Sequence, residues 1–96
     1  MNLDDKATIR LSGRFDFNDH RLFKSTYVQL LQQNKISALE VDLGEVNYID
    51  SSALGMLLLL REQALAAGKS VALVRPNKTV QQILEIANFG KLFKIH

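Results

Sequence analysis

The sequence predicts a small α/β domain: a mixed, mostly parallel sheet of four to five strands with three main helices packed largely on one face. Three observations predict it. Stretches that alternate apolar and polar residues exchange along the chain with stretches of helical spacing, in the order β, α, β, α, β, α, β. Each strand is separated from the next by a helix, which favours parallel neighbours joined by right-handed crossovers. The chain of 96 residues suits one domain, residues 1–96, which buries somewhat over ~60% of its unfolded surface.

Ala7 to Ser12 alternates apolar and polar residues and reads as a strand with one wet face. Gly13 to Asn18 reads as a loop that offers Asp16 or Asn18 as a helix N-cap. Leu22, Phe23, Tyr27, Leu30 and Leu31 then keep helical spacing through about Asn34, with polar residues between them. Ala38 to Leu43 alternates again, Leu39, Val41 and Leu43 on one side and Glu40 and Asp42 on the other, and Val46 to Ile49 follows. Helical character resumes from about Ser52 to Ala67, where Gly68 is a natural stop. Val71 to Val74 is the continuous apolar run of a strand covered on both faces or lying centrally. After Pro76-Asn77 comes a third helical stripe, Val80, Ile83, Leu84 and Ala87, ended by Gly90, and Leu92 to Ile95 is a plausible last strand.

Composition excludes several classes of function. Apolar residues make up 47% and charged residues 23%, an ordinary globular balance that argues against disorder. The formal charge of +2 comes from 12 basic and 10 acidic residues that are well mixed, so nucleic-acid binding has little support. There is no cysteine, hence no disulfide or thiol chemistry. The acidic start, Met1 to Asp5, lacks the apolar core of a signal peptide. The longest apolar run, Ala53 to Leu60, falls far short of the ~20 residues that span a bilayer. A soluble cytoplasmic protein without membrane insertion is expected. No His/Asp/Glu cluster has metal-ligand spacing, no Walker-type phosphate loop occurs, and there is no G-x-S-x-G elbow. The two histidines are His20, expected at the surface, and His96. The protein is therefore not expected to be an enzyme, and no cofactor, metal or catalytic residue is assigned.

The chemistry concentrates at Asp50-Ser51-Ser52, three helix-capping residues where one suffices. A cap contributes roughly 1 kcal/mol. No Glu or Gln stands three residues after any of them, so no capping box forms. Gly55 sits in the first turn, where glycine costs up to about 1 kcal/mol relative to alanine. It serves either tight packing against the sheet or the approach of another backbone. A hydroxyl at a helix N-terminus is also a favourable place for a phosphate, which adds about −1.5 to −2 charges. On a protein-binding surface, beside Asp50, that charge would act as an on/off switch. Ala53, Leu57, Leu60, Ala64 and Ala67 form an apolar stripe on the following helix, while Leu54, Met56, Leu58 and Leu59 lie off its centre line. Either neighbouring helices sandwich this one, or its leucine-rich end lies exposed beside the serines as a partner patch.

The stretch Val46 to Gly55, with Asp50-Ser51-Ser52 at its centre, closely resembles the signature of STAS domains of the anti-sigma factor antagonist type. Leu11 to Asp16 is similar to the same family's Gly-x-hydrophobic-Asp loop after an early strand, and the order of elements matches over essentially the whole chain. The resemblance implies a partner-switching protein. Unphosphorylated, it would sequester an anti-sigma factor that is often also a serine kinase. That kinase would inactivate it by phosphorylating the serine directly after the aspartate, Ser51, with Ser52 the second choice, and a serine phosphatase would reverse the reaction. Arg14, Asp16, Asp50 and Ser52 correspond to interface positions, and Leu54, Gly55 and Leu58 complete the expected partner surface. The alternative that the resemblance offers is a non-switching STAS accessory subunit of a bacterial (lipid) ABC transporter; the paired hydroxyls favour the switch. Two departures stand out. Ala53 occupies a position that is often glycine in the family, and an opening strand common there would have to come from Met1 to Asp5 or be missing.

Overall fold

A computed structural model describes residues 5–96. The opening strand considered for Met1 to Asp5 falls on residues 1–4, outside the described residues, and Asp5 is not part of a strand. Strands and helices alternate as β1 (Lys6–Phe15), α1 (His20–Leu31), β2 (Ala38–Ile49), α2 (Ser51–Ala66), β3 (Ser70–Val74), α3 (Lys78–Ile86) and β4 (Lys94–Ile95). Among the described residues these make one sheet in the order β1-β2-β3-β4. Every neighbouring pair is parallel, so among the described residues the sheet is not mixed. The reason is that each strand reaches the next through a crossover long enough for a helix. Stepping in one direction with right-handed crossovers sets the three helices on one face.

The strands show which face is covered. In β1, Ile9 and Phe15 are buried while Lys6, Thr8, Arg10, Ser12 and Arg14 are exposed. The partner strand β2 keeps this alternation only by slipping twice. Arg10 pairs with Asp42 but Ser12 with Glu45, and Gly13 pairs with Val46 but Arg14 with Tyr48. Each slip adds one residue to β2 and turns its side chains over. Leu43, Val46 and Ile49 consequently all reach the core, and Glu45 and Tyr48 turn outward. Gly13 to Phe15 belongs to β1, not to a loop, because Phe15 pairs with Ile49; Gly13 takes φ +68° there.

Beneath the sheet, Phe15, Phe23 and Tyr27 form an edge-to-face chain with centroids 5.2 and 5.4 Å apart. Leu57, Leu60, Leu73, Val80 and Leu84 are fully buried, each contributing roughly 1.5–3 kcal/mol of apolar transfer. Two expected stripe residues lie elsewhere. Leu22 is 71% exposed, and Ala67 is the exposed C-cap of α2. Met56 fills the core position instead. Gly68 at φ +75° ends α2: its N–H donates to the Leu65 carbonyl, and that of Lys69 to Ala64. β3 lies between β2 and β4, the central placement its apolar run allowed. The last strand is shorter than expected, since Phe93 leaves the sheet to stack on Phe89 in the core.

Candidate functional site

β1 and β2 end side by side, Phe15 against Ile49. The turns that leave them therefore meet at the C-terminal edge of the sheet, where α/β folds bind their ligands. One residue, Asp50, separates β2 from α2. Its extended backbone (φ −107°, ψ −179°) makes it the N-cap. Its Oδ1 accepts the Ala53 N–H at 2.8 Å and the Ser52 hydroxyl at 2.8 Å. These bonds, the Ala53 N–H foremost, hold the Asp50 carboxyl below the usual carboxylate range.

One cap thus accounts for two of the three capping residues. Ser52 is half-buried and spends its hydroxyl on Asp50. Ser51, the first helical residue, is exposed, and its hydroxyl has no hydrogen-bond partner among the described residues. Below it lies Gly55, where an added Cβ would meet nothing within 4 Å. Tight packing against the sheet therefore does not explain this glycine; its surroundings are open. Leu58 and Leu59 follow, 40% and 45% exposed, while Leu54 is half-buried and packs against the core. α2 is not sandwiched. Ala53, Met56, Leu57, Leu60 and Ala64 face the protein, and Ser51, Gly55, Leu58, Leu59 and Glu62 form the solvent side. Ala53 lies in the core with no exposed surface, its N–H bonded to the cap.

Arg14 and Asp16 come from the end of β1. The Arg14 guanidinium lies 4.3 Å from the centre of the Tyr48 ring, and its Nε is 3.5 Å from Asp16 Oδ2. Asp16 does not cap α1, and neither does Asn18. Asp16 accepts the Asn18 N–H at 3.0 Å, and Asp19 accepts the Asp16 N–H at 3.1 Å. This reciprocal box caps a short 3-10 turn, Phe17–Asp19, and α1 follows with no side-chain cap. Two aromatic residues not singled out from the sequence also lie at this end. Phe17 is 68% exposed and stacks on the half-buried His20 at 5.6 Å. Tyr48 is turned outward by the second slip of β2, for which no local sequence signal exists.

A second carboxylate has a different setting. Asp42 is buried on the outer face of the sheet. It accepts the Gly44 N–H at 2.9 Å and Arg75 Nε at 3.2 Å, with Arg10 Nε 3.6 Å away. Arg75 foremost, then Gly44, hold its carboxyl below the usual range. Arg75 adopts φ +59°, uncommon outside glycine, and the ion pair secures it there. Among the described residues no group of His, Cys, Asp or Glu could hold a metal ion, and no helix is long and apolar enough to cross a membrane.

The family model described as "Mlab, STAS domain" matches residues 2–94. A STAS-domain containing protein of Pseudomonas aeruginosa is 43% identical over 90 residues, 94% of this chain and 87% of that protein. A crystal structure from Thermotoga maritima, named as that of a "putative anti-sigma factor antagonist", superposes with a TM-score of 0.85 at 25% identity, covering 99% of this chain and 81% of the other. The unphosphorylated form of the anti-sigma factor antagonist SpoIIAA shares the fold, with a TM-score of 0.80 at 18% identity over 100% of this chain and 84% of its own.

Proposed function

The chain belongs to the STAS domain family, and from that premise we propose that residues 1–96 act as one anti-sigma factor antagonist domain switched by phosphorylation of Ser51. In this reading the unphosphorylated domain docks an anti-sigma factor that is also a serine kinase, in the cytoplasm, through the solvent side of α2 and the Arg14–Asp16 turn. Leu58 and Leu59 supply apolar contact, Gly55 lets the partner's backbone approach, and Leu54 backs the patch from beneath. The domain itself performs no catalysis. The kinase transfers the γ-phosphoryl group of ATP to Ser51 Oγ, and a serine phosphatase removes it. The phosphate brings about −1.5 to −2 charges beside the Asp50 carboxylate and the leucine patch. Desolvating it against the partner is unfavourable, so the complex dissociates without a change of fold.

The observation that carries the reading is the division between the two hydroxyls: Ser52 is engaged by Asp50, and Ser51 is exposed with no hydrogen-bond partner among the described residues. The name of the Thermotoga maritima relative supports the partner class. Incubation with the cognate kinase and ATP tests it by intact mass. Wild type and Ser52→Ala gain one phosphate, and Ser51→Ala gains none. In a pull-down, Ser51→Ala retains the partner and Ser51→Asp loses it; equal recovery from both baits overturns the switch. A second reading keeps the surface but drops the switch, with the patch held permanently by an ATPase subunit of a lipid transporter. The exposed leucines favour it as much as the first reading, and it has no use for the free hydroxyl. Copurification with an ATPase subunit that survives Ser51→Asp selects it.

A further inference from the structure

We infer that the free edge of β1 is a second docking surface, which takes an extended acidic segment of another protein as an added strand. β1 ends the sheet: among the described residues it pairs with β2 alone, which leaves one side of a ten-residue strand unpaired. Such an edge is a template for strand addition. Its outward row is Lys6, Thr8, Arg10, Ser12 and Arg14, which holds three cations and no acid. Lys6, Arg10 and Arg14 reach to Glu40, Asp42 and Asp16 at 3.1, 3.6 and 3.5 Å, yet their side chains remain 48%, 80% and 64% exposed. Between β1 and α1 runs a groove of about 210 Å³ whose apolar border is Ile9, Leu11, Leu22 and Phe23, with Asp19 also lining it, which reserves this side for the apolar residues of a guest. Leu22, displaced from the core face of its helix, forms its rim. Side chains of an added strand point alternately to the two faces. An occupant with acidic residues at one parity and apolar residues at the other therefore satisfies both sides at once.

A second copy of this chain does not fit. Two β1 strands side by side would place six cations, three from each strand, on one face with no acid in either row. The same charges that keep the edge from pairing with itself thus select an acidic guest.

The test uses the chain of residues 1–96 and a synthetic ten-residue peptide of alternating Glu and Val, with a Lys/Val peptide as control, at low ionic strength. The Glu/Val peptide slows hydrogen exchange of the β1 amides that do not donate to β2 and leaves α3 unchanged, and added salt weakens it. Arg10→Glu weakens the Glu/Val peptide on the order of tenfold and admits the Lys/Val peptide. Arg10→Gln and Leu22→Gln, milder changes at exposed side chains, each weaken it several-fold, and thermal unfolding confirms that all three variants fold. Ser51→Asp leaves peptide binding unchanged, which separates this surface from the switch. Equal binding of the two peptides, protection without peptide of the β1 amides that do not donate to β2, or no effect of the Arg10 variants would overturn the inference.

Discussion

Asp42 lies within β2 and Asp50 immediately after it, and the two carboxylates meet opposite surroundings. Asp42 is enclosed. Gly44 and Arg75 donate to it, Arg10 stands beside it, and a Cβ on Gly44 would come within 3.1 Å of its Oδ1. Among the described residues Asp50 is served only by its own helix, through the Ala53 N–H and the Ser52 hydroxyl. The first arrangement joins β1, β2 and the residue after β3 into a clamp. The second completes a helix end and leaves Ser51 and Gly55 facing solvent. A carboxylate satisfied by distant segments is covered by them, whereas one satisfied by its own first turn keeps its neighbourhood open.

The sharpest way to break this comparison is to remove each acid in turn. Asp42→Ala strips the Gly44 N–H and Arg75 of their partner and lowers the unfolding free energy by about 2 kcal/mol. Urea denaturation measures the loss, and affinity for the docked partner, per folded molecule, stays unchanged. If affinity fell while stability held, the division between clamp and site would be wrong. Asp50→Ala removes only a cap and lowers stability roughly half as much, but it also weakens the partner complex. Asp50→Asn, an equally good cap, restores most of the stability. Gly55→Ala reverses the sign. With open space around its Cβ and a gain in helix propensity, it stabilises the fold by about 0.5–1 kcal/mol and reduces partner affinity, read by denaturation and calorimetry on the same sample. The smallest effect is that of acid. Both carboxyls are held below their unfolded values in the native state. Their contribution is therefore complete above the ordinary carboxylate pKa of about 3.9 and is lost as pH falls through the lower folded values. Stability is accordingly insensitive to these groups between pH 7 and about 5 and declines below about 4, with a shallower decline in Asp42→Ala.

Much of the fold was legible because its signals are local. Helical spacing located α1, α2 and α3, and the Asp50 cap and Gly68 stop are fixed by hydrogen bonds within a turn of their own helix. The limits of β2 were not legible. Ala38 to Leu43 and Val46 to Ile49 read as separate segments because two slips against β1 reset the alternation, and a slip exists only in the pairing of two strands. Leu22 looked like a core residue for a related reason. It keeps helical spacing, but which positions of α1 are covered depends on where the helix lies over the sheet. At the candidate site the residue types were readable and their states were not. Nothing in Asp50-Ser51-Ser52 tells which serine the aspartate engages, and nothing in Leu57, Leu58 and Leu59 tells which of them lies inside.

The sequence by itself determined the alternation of strand and helix, the parallel crossovers, and the concentration of capping and hydroxyl groups ahead of a leucine-rich helix. Those follow from periodicity and from bonds spanning a few residues. Only the tertiary structure decided that Ser51 is open while Ser52 is engaged, that Gly55 faces space, that Asp42 is locked, and that β1 has an unpaired edge among the described residues. Exposure is set by which distant segments come to lie against a residue, and no stretch of chain contains that information about itself.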